Sequence, residues 1–404
     1  MSLCEWYANR AVLLIGATSE LGCALLEKIL RSLPNVTVYV LLRSQNGLSK
    51  EDRLKKIFAS PGYERLKQEV PGAISRVKTV EGNLLYEDLR LNDEEKALLR
   101  EVSVVFHAGG PHESVLEYCQ DLPKLKCLAM ASSIFKHRGQ INEKLQSDVM
   151  PDLPIALIRF ALIGPPHEEP MPGFVEILKG PTALMVGAGF AYGKSELQAE
   201  VIPRDIAVNT MIAAAWEVGT SNVAKPVVYN ATTLGCTWGD LIKKSRRASW
   251  AFPYPTFGIR GMTSIEPLHW ILVLLLEWLP SILCDTVLFL CGRKQRFLAE
   301  YDRVRNALQS LKSISSRPWS AERNRVYRLQ ERLASTKEHN AFPVTAKIDI
   351  EAYVLCAAAA SRKYCVKEDN FTFVNVTRLF FLFMPPILVV AYILFFSFHT
   401  NKIR

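Results

Sequence analysis

Val12 to Gly22 reads V-L-L-I-G-A-T-S-E-L-G, and the fold of the chain turns on this stretch. Val12, Leu13, Leu14 and Ile15 have the unbroken hydrophobicity of a strand buried on both faces, and Gly16 ends them. Cys23 to Ile29 (C-A-L-L-E-K-I) follows with helical spacing, so the glycines lie between a strand and a helix, as a dinucleotide-binding turn requires. A turn of the T-G-x-x-G-x-x-G kind uses its first glycine for the sharp bend, its second for close approach to pyrophosphate and its third for packing helix on strand. Gly16 and Gly22 hold the first and third places, and Ser19 holds the second. The serine side chain takes room that phosphate would use, yet its hydroxyl can donate to a phosphate oxygen. An ordinary strand-to-helix turn is the competing reading.

The 404 residues are 49 % hydrophobic, enough for one large or two ordinary domains and too apolar for a disordered chain. The net charge of +9 is spread out, densest from Gly292 to Arg332. With no recognisable nucleic-acid module, that charge suits an anionic membrane face or an anionic substrate, and no nucleic-acid partner is expected. Nine cysteines form no C-x-x-C pair and several sit in apolar runs, which reads as reduced thiols facing the cytosol. Met1 to Arg10 shows no secretory signal, so the sequons at Asn35, Asn230, Asn370 and Asn375 are expected to be unmodified.

Val36 to Leu42 is a second strand that ends at Arg43. An acidic residue there would bind the ribose hydroxyls of NAD, whereas Arg43, with Arg53, suits the extra phosphate of NADPH; a solvated arginine after a strand is the alternative. Lys50 to Phe58 and Tyr63 to Val70 are amphipathic helical pieces around Pro61-Gly62, and Val77 to Glu81 is a third strand, leading to Gly82, Asn83 and Leu84 beside the adenine. Glu94 to Glu101 is a helix and Val102 to Phe106 a fourth strand, running into His107, Ala108, Gly109 and Gly110. A short helix at Leu116 to Leu122 leads to a fifth strand, Cys127 to Ala131, with Ser132-Ser133 at its exit, and Ile155 to Phe160 is the sixth. Ile134 to Pro154, 21 residues, leaves room for one short right-handed crossover helix. This alternation predicts an α/β, Rossmann-type doubly wound parallel sheet.

Leu13 to Gly22, Leu41-Leu42-Arg43 and Val105-Phe106-His107-Ala108 resemble the alcohol-forming fatty acyl-CoA reductases, a membrane-associated branch of the extended short-chain dehydrogenase/reductases. The likeness continues through Ile158-Arg159, Ile163-Gly164-Pro165, Glu169 to Phe174 (E-P-M-P-G-F), Gly180-Pro181-Thr182 and Val201 to Asp205 (V-I-P-R-D) into the helix Ala207 to Trp216. The resemblance implies an NADPH-dependent reduction of long-chain acyl-CoA, through an aldehyde, to a primary alcohol. It assigns Gly16, Thr18, Ser19, Leu21 and Gly22 to pyrophosphate, Arg43 to the 2′-phosphate, Asn83 and Leu84 to the adenine side, and Ser133 to the substrate carbonyl. A polar strand end is the bland alternative for Ser132-Ser133.

In this family a Tyr-x-x-x-Lys helix lies between the fifth and sixth strands. The tyrosine gives a proton to the carbonyl oxygen as hydride reaches carbon, and the lysine lowers its pKa and holds the nicotinamide ribose. Phe135 to Phe190 contains no tyrosine. The pair occurs at Tyr63 and Lys67, where a solvated helix face is expected. A second shortening precedes Leu116. The two losses point to an inactive, membrane-anchored binding relative or to coding sequence absent from this chain. His107 is a candidate substitute acid, though a core histidine is commoner; His112 and His137 are loop residues, and no metal is expected.

Gly235 to Asp240 starts a helix after a strand at Pro226 to Asn230, and Pro253 and Pro255 mark a linker. The expected domains are a reductase domain at residues 1–252, the family's hydrophobic C-terminal module at 253–366, membrane-associated around 270–291, and a transmembrane helix at 379–398. Glu277, Pro280 and Asp285 interrupt the run His269 to Cys291, which predicts an amphipathic or hairpin segment in one leaflet, or a lid over an acyl chain, with Gly292 to Arg296 on anionic headgroups. Leu379 to Phe398 is 20 residues without charge, long enough to span. A cytosolic reductase domain on endoplasmic reticulum or peroxisome, anchored near its C-terminus and able to join other reductases as an oligomer, is the expected arrangement.

Overall fold

The computed structural model describes residues 1–136, 139–145, 150–186, 189–221, 224–254, 256, 260–290, 292, 294–295, 297–367 and 392. The expected transmembrane helix and His137 lie outside the described residues. The chain forms two compact units, the first from residues 1–171, 202–233 and 320–347 and the second from 172–201, 234–319 and 348–404. These interleave along the chain, so their limits differ from the expected ones at 252 and 253.

The first unit holds a seven-stranded sheet. Its strands, here β1 to β7 in chain order, are Ala11–Ile15, Thr37–Leu42, Val77–Glu81, Val102–His107, Cys127–Ser133, Ile155–Phe160 and Val227–Asn230. Their spatial order is β7-β6-β5-β4-β1-β2-β3, and the pairings are parallel. This is the doubly wound arrangement, with its switch point between β1 and β4, outside whose carboxyl ends ligands bind in such sheets.

The alternation of side chains explains why these strands read as continuous hydrophobic runs. Leu13, Ile15, Leu41, Val105, Leu128 and Met130 form one core with Val115 and Cys119 of the helix Glu113–Gln120. Their neighbours Val12, Leu14, Val40, Phe106 and Ala129 are also buried, as strands covered on both faces demand. Tyr7 shows how the Phe106 face is closed: it stacks on that ring at 6.5 Å, and its hydroxyl donates to the Ile212 carbonyl in the helix Arg204–Ser221.

Two expectations are corrected here. Between β5 and β6 the described residues contain a 3-10 turn, Ile134–Lys136, and a two-residue strand, Gln140–Ile141, but no α-helix. The short strand instead pairs with Ser320–Ala321. Glu143 accepts the Arg325 N–H at 2.9 and 3.1 Å at the start of the helix Asn324–Ala334, and the Arg159 guanidinium donates to the carbonyls of Asn142 and Lys144. Backbone groups that a helix would have satisfied internally thus find partners far away in the chain. Ser132 and Ser133 likewise do not leave the strand; they are its last two residues, in register with Arg159 and Phe160.

In the second unit, Thr237 caps the helix Trp238–Ala251, as the Gly235 to Asp240 motif anticipates. Of the alternatives left open for this run, the hairpin is not formed: Glu266–Leu290 is one 25-residue helical run with a π turn at Leu274–Trp278. Pro280 does not break it, because the wider π turn just before it relieves the clash and donor loss that proline brings to a regular helix.

Candidate functional site

At the carboxyl ends of β1, β2 and β4 lies a cleft of about 380 Å³ whose walls include Gly16, Ala17, Thr18, Arg43, Asn83 and Leu84. Gly16 has φ +84°, and a Cβ there would come within 3.1 Å of the Gly109 backbone nitrogen where β4 leaves the sheet. Only glycine accepts both the left-handed turn and that approach. Gly22 lies behind the turn, where an added Cβ would be 2.1 Å from the Gly16 carbonyl oxygen, so helix and strand touch through bare backbone. The first and third glycines therefore do what a dinucleotide turn asks of them.

Ser19 has another task. It is the N-cap of the helix Glu20–Ser32, where its Oγ accepts the Gly22 N–H at 2.9 Å and donates to the Ala108 carbonyl at 3.3 Å. The hydroxyl offered to phosphate in the sequence reading is committed to this cap. Ser19, Leu21 and Gly22 support the cleft without lining it. The acidic first-turn residue Glu20, which would repel an anion at the helix N-terminus, faces Arg204 at 3.6 Å.

Arg43 and Arg53 stand together at the cleft. Arg53 donates to the Arg43 carbonyl at 2.6 Å, and Arg43 donates through Nε to Gln45 at 3.2 Å. Among the described residues neither arginine pairs with a carboxylate, so both guanidinium charges remain available. Asn83 accepts the Leu85 N–H at 3.1 Å and shapes the loop after β3. The structure thus brings Gly16, Thr18, Arg43, Asn83 and Leu84 to one wall, with Ala17, Gly109 and Pro111 as lining that sequence reasoning had not assigned. The glycine pair after β4 was the available signal. These residues fit a dinucleotide: a cradle that a Cβ would fill, helix N-terminal N–H groups and two unpaired arginines.

Ser133 ends β5 half-buried, its Oγ accepting the Phe135 N–H at 3.2 Å, and it is not among the residues lining this cleft. His107 is fully buried at the end of β4, 4.9 Å from the His112 ring, and neither ring nitrogen has a hydrogen-bond partner. Burial, then the neighbouring His112, push its pKa down to about 4, so at neutral pH it is an uncharged imidazole and a poor acid. Tyr63 is not solvated as expected: it is buried and its hydroxyl donates to the Cys23 carbonyl at 2.8 Å, bracing the helix Glu20–Ser32.

Residues 14–131 and 276–368 match two family models, each described as "Male sterility protein". Over 453 aligned positions the chain is 24% identical to fatty acyl-CoA reductase 1 of Mus musculus, covering 91% of this chain and 87% of that one. Against fatty acyl-CoA reductase 1 of Xenopus laevis it is 26% identical, covering 79% and 77%. The chain belongs to the fatty acyl-CoA reductase family. The mouse alignment is longer than this 404-residue chain, so that family member carries segments with no counterpart here. The fold is shared with the reductase domain of a non-ribosomal peptide synthetase from Mycobacterium tuberculosis, at TM-score 0.56 and 15% identity, covering 89% of this chain and 95% of that one. The family match over residues 14–131 supports a nicotinamide cofactor for this chain. The family's motifs also acquire a structural reason. Asp205 of V-I-P-R-D accepts the N–H groups of His167, Glu168 and Glu169 at 2.7 to 3.1 Å, so it holds the loop that opens E-P-M-P-G-F.

Proposed function

We propose that this chain reduces long-chain fatty acyl-CoA with NADPH, through an aldehyde to a primary alcohol, at the surface of a membrane that its C-terminal region engages. The observation that carries the proposal is the convergence, in one cleft, of the Gly16 turn with two arginines that have no carboxylate partner. The N–H groups of Ala17 and Thr18 would hold pyrophosphate, Arg43 with Arg53 the 2′-phosphate, and Asn83 with Leu84 the adenine side. Bound nicotinamide would supply hydride to the carbonyl carbon. Ser133 would hydrogen-bond the carbonyl oxygen, polarising it toward that attack.

A second reading rests on one observation. From Ile134 to Pro154 there is no tyrosine, and the described residues form no helix to carry one, so this stretch gives Ser133 no proton donor of the usual kind. On that reading the chain binds the nucleotide and serves as a membrane-anchored partner without turnover. Microsomes carrying the full chain, given NADPH and C16 to C24 acyl-CoA, decide between the two. Fatty alcohol above a Gly16→Trp control supports the reductase. NADPH binding without alcohol, from folded and inserted protein, supports the second reading.

A further inference from the structure

The helix Glu266–Leu290 is built inside out for a protein in water. Its polar residues Glu277, Ser281 and Asp285, spaced four apart, are 1%, 1% and 3% exposed. Leu274, Leu275, Leu279, Ile282, Leu283 and Leu290 are 37 to 77% exposed. The buried stripe is fixed by specific bonds: Glu277 accepts the Phe190 N–H and pairs with Arg305 at 3.3 Å, while Asp285 accepts the N–H groups of Phe297 and Leu298. With its charges turned inward and its leucines outward, the helix suits a lipid leaflet on its open side. The following helix Phe297–Gln309, which packs against it, exposes Arg303 and Asp302 to water. The 20-residue uncharged run from Leu379 to Phe398 is long enough to cross a bilayer.

Within the same unit lies a cavity of about 510 Å³ walled by Phe190, Tyr192, Trp270, Trp278 and Tyr301. That volume is in the range of sites that take a small ligand, about 300 to 1,000 Å³. Trp270, Leu274 and Trp278 form one helical stripe, line the cavity and are still 44 to 54% exposed, so its opening lies on the apolar outer face. The polar groups of the wall include Arg305, Lys312 and His269; the last is 6% exposed with no hydrogen-bond partner for Nδ1. An aromatic cavity that opens toward lipid and keeps an unpartnered polar atom in its wall is suited to a long hydrocarbon chain with a carbonyl-bearing head. We propose that this cavity holds the single chain of a long-chain acyl compound, taken in from the leaflet past Trp270, Leu274 and Trp278. The choice of an acyl ligand rests on the reductase reading, whereas occupancy of the cavity does not require turnover.

The test uses the full chain in phosphatidylcholine liposomes with palmitic acid carrying a diazirine at its chain end. After irradiation, label is expected within residues 269–278 and 301–312, and palmitoyl-CoA should compete for it. Val273→Trp, which fills the cavity, and Leu274→Arg, which charges its mouth, should each lower that label by about fivefold or more, a change of roughly 1 kcal/mol. Leu274 is 51% exposed, so its replacement needs no core rearrangement, and unchanged limited-proteolysis fragments within residues 234–319 of both variants check the fold of the unit that holds the cavity. Label spread along the outer face of Leu274 to Leu290 and unchanged in both variants overturns the proposal. A diazirine phosphatidylcholine that labels the cavity, with no competition by palmitoyl-CoA, overturns it in favour of bulk lipid. Alcohol formation followed in the same liposomes separates the two readings. Cavity label without alcohol keeps the site and removes the reductase; alcohol with unaltered KM in both variants and no cavity label does the reverse.

Discussion

Gly22 carries no functional group, yet its replacement should be felt at the nucleotide. A methyl placed 2.1 Å from the Gly16 carbonyl oxygen must push the helix Glu20–Ser32 off β1, and with it the Ser19 cap and the turn. Gly22→Ala is expected to lower stability by about 1–3 kcal/mol, the usual cost of overpacking, and to weaken NADPH binding; urea unfolding and NADPH fluorescence read the two effects. On the proposed reading Arg43 would act by its charge. Arg43→Ala should weaken NADPH by roughly 10- to 100-fold, the worth of a charged hydrogen bond of about 1.5–3 kcal/mol, and leave NADH nearly unchanged. Equal losses for both nucleotides in titrations would remove Arg43 from the 2′-phosphate. The turn made by the two glycines and the place of Arg43 at the cleft were legible in the sequence because a strand, a turn and a helix fix backbone positions locally. The cap role of Ser19 was less so: a serine before a helix signals a cap, and the phosphate reading of the same position masked it.

Glu169 ties three elements together, and its chemistry sets a pH dependence. It pairs with Lys28 and with Arg31 at 3.1 Å, both on the first long helix, and with Arg65 at 3.3 Å. Burial by itself would raise its carboxyl, but the Lys28 charge and the hydrogen bonds from Arg31 and Lys28 outweigh burial and hold the pKa at about 2, below its ordinary 4.5. A depressed folded value means that this stabilisation is present above pH 4.5 and is lost as pH falls toward 2. Glu169→Gln should therefore unfold more easily at pH 7 and show a shallower loss between pH 4.5 and 2; Tm against pH measures both, and parallel curves would refute the assignment. The seven strands were readable to within about two residues because the inner ones are apolar on both faces, while the edge strand Val77–Glu81 is short and β-rich with one buried residue, Val80. The crossover was not. Its residue count permitted a helix, but Gln140–Ile141 is instead paired with Ser320–Ala321, and Glu143 caps a helix 182 residues further on. No local pattern carries a contact of that separation.

Across the whole molecule, the apolar run of the second half was legible in the sequence, but which way its helix faces was not. Glu277, Ser281 and Asp285 read as interruptions of an apolar run, since periodicity separates a polar from an apolar face without saying which one the surrounding medium touches. In water the charged stripe would point outward; here it is buried and bonded to the next helix, and the leucines are left outside. On the membrane reading proposed above, the chain would have two independent means of meeting a bilayer, the uncharged run at 379–398 and the outer face of Glu266–Leu290. A chain ended at Val366 should still float with phosphatidylcholine and phosphatidylserine vesicles on a density gradient. Adding Leu275→Lys, Leu279→Lys and Leu283→Lys should release it, because a lysine in hydrocarbon costs up to about 2.5–3.5 kcal/mol and all three positions are 47 to 59% exposed. The same changes should leave NADPH binding intact, since they alter no residue of the Gly16 cleft. Flotation that survives the triple change would assign the outer face to a protein partner rather than to lipid, and with it the entrance of the aromatic cavity.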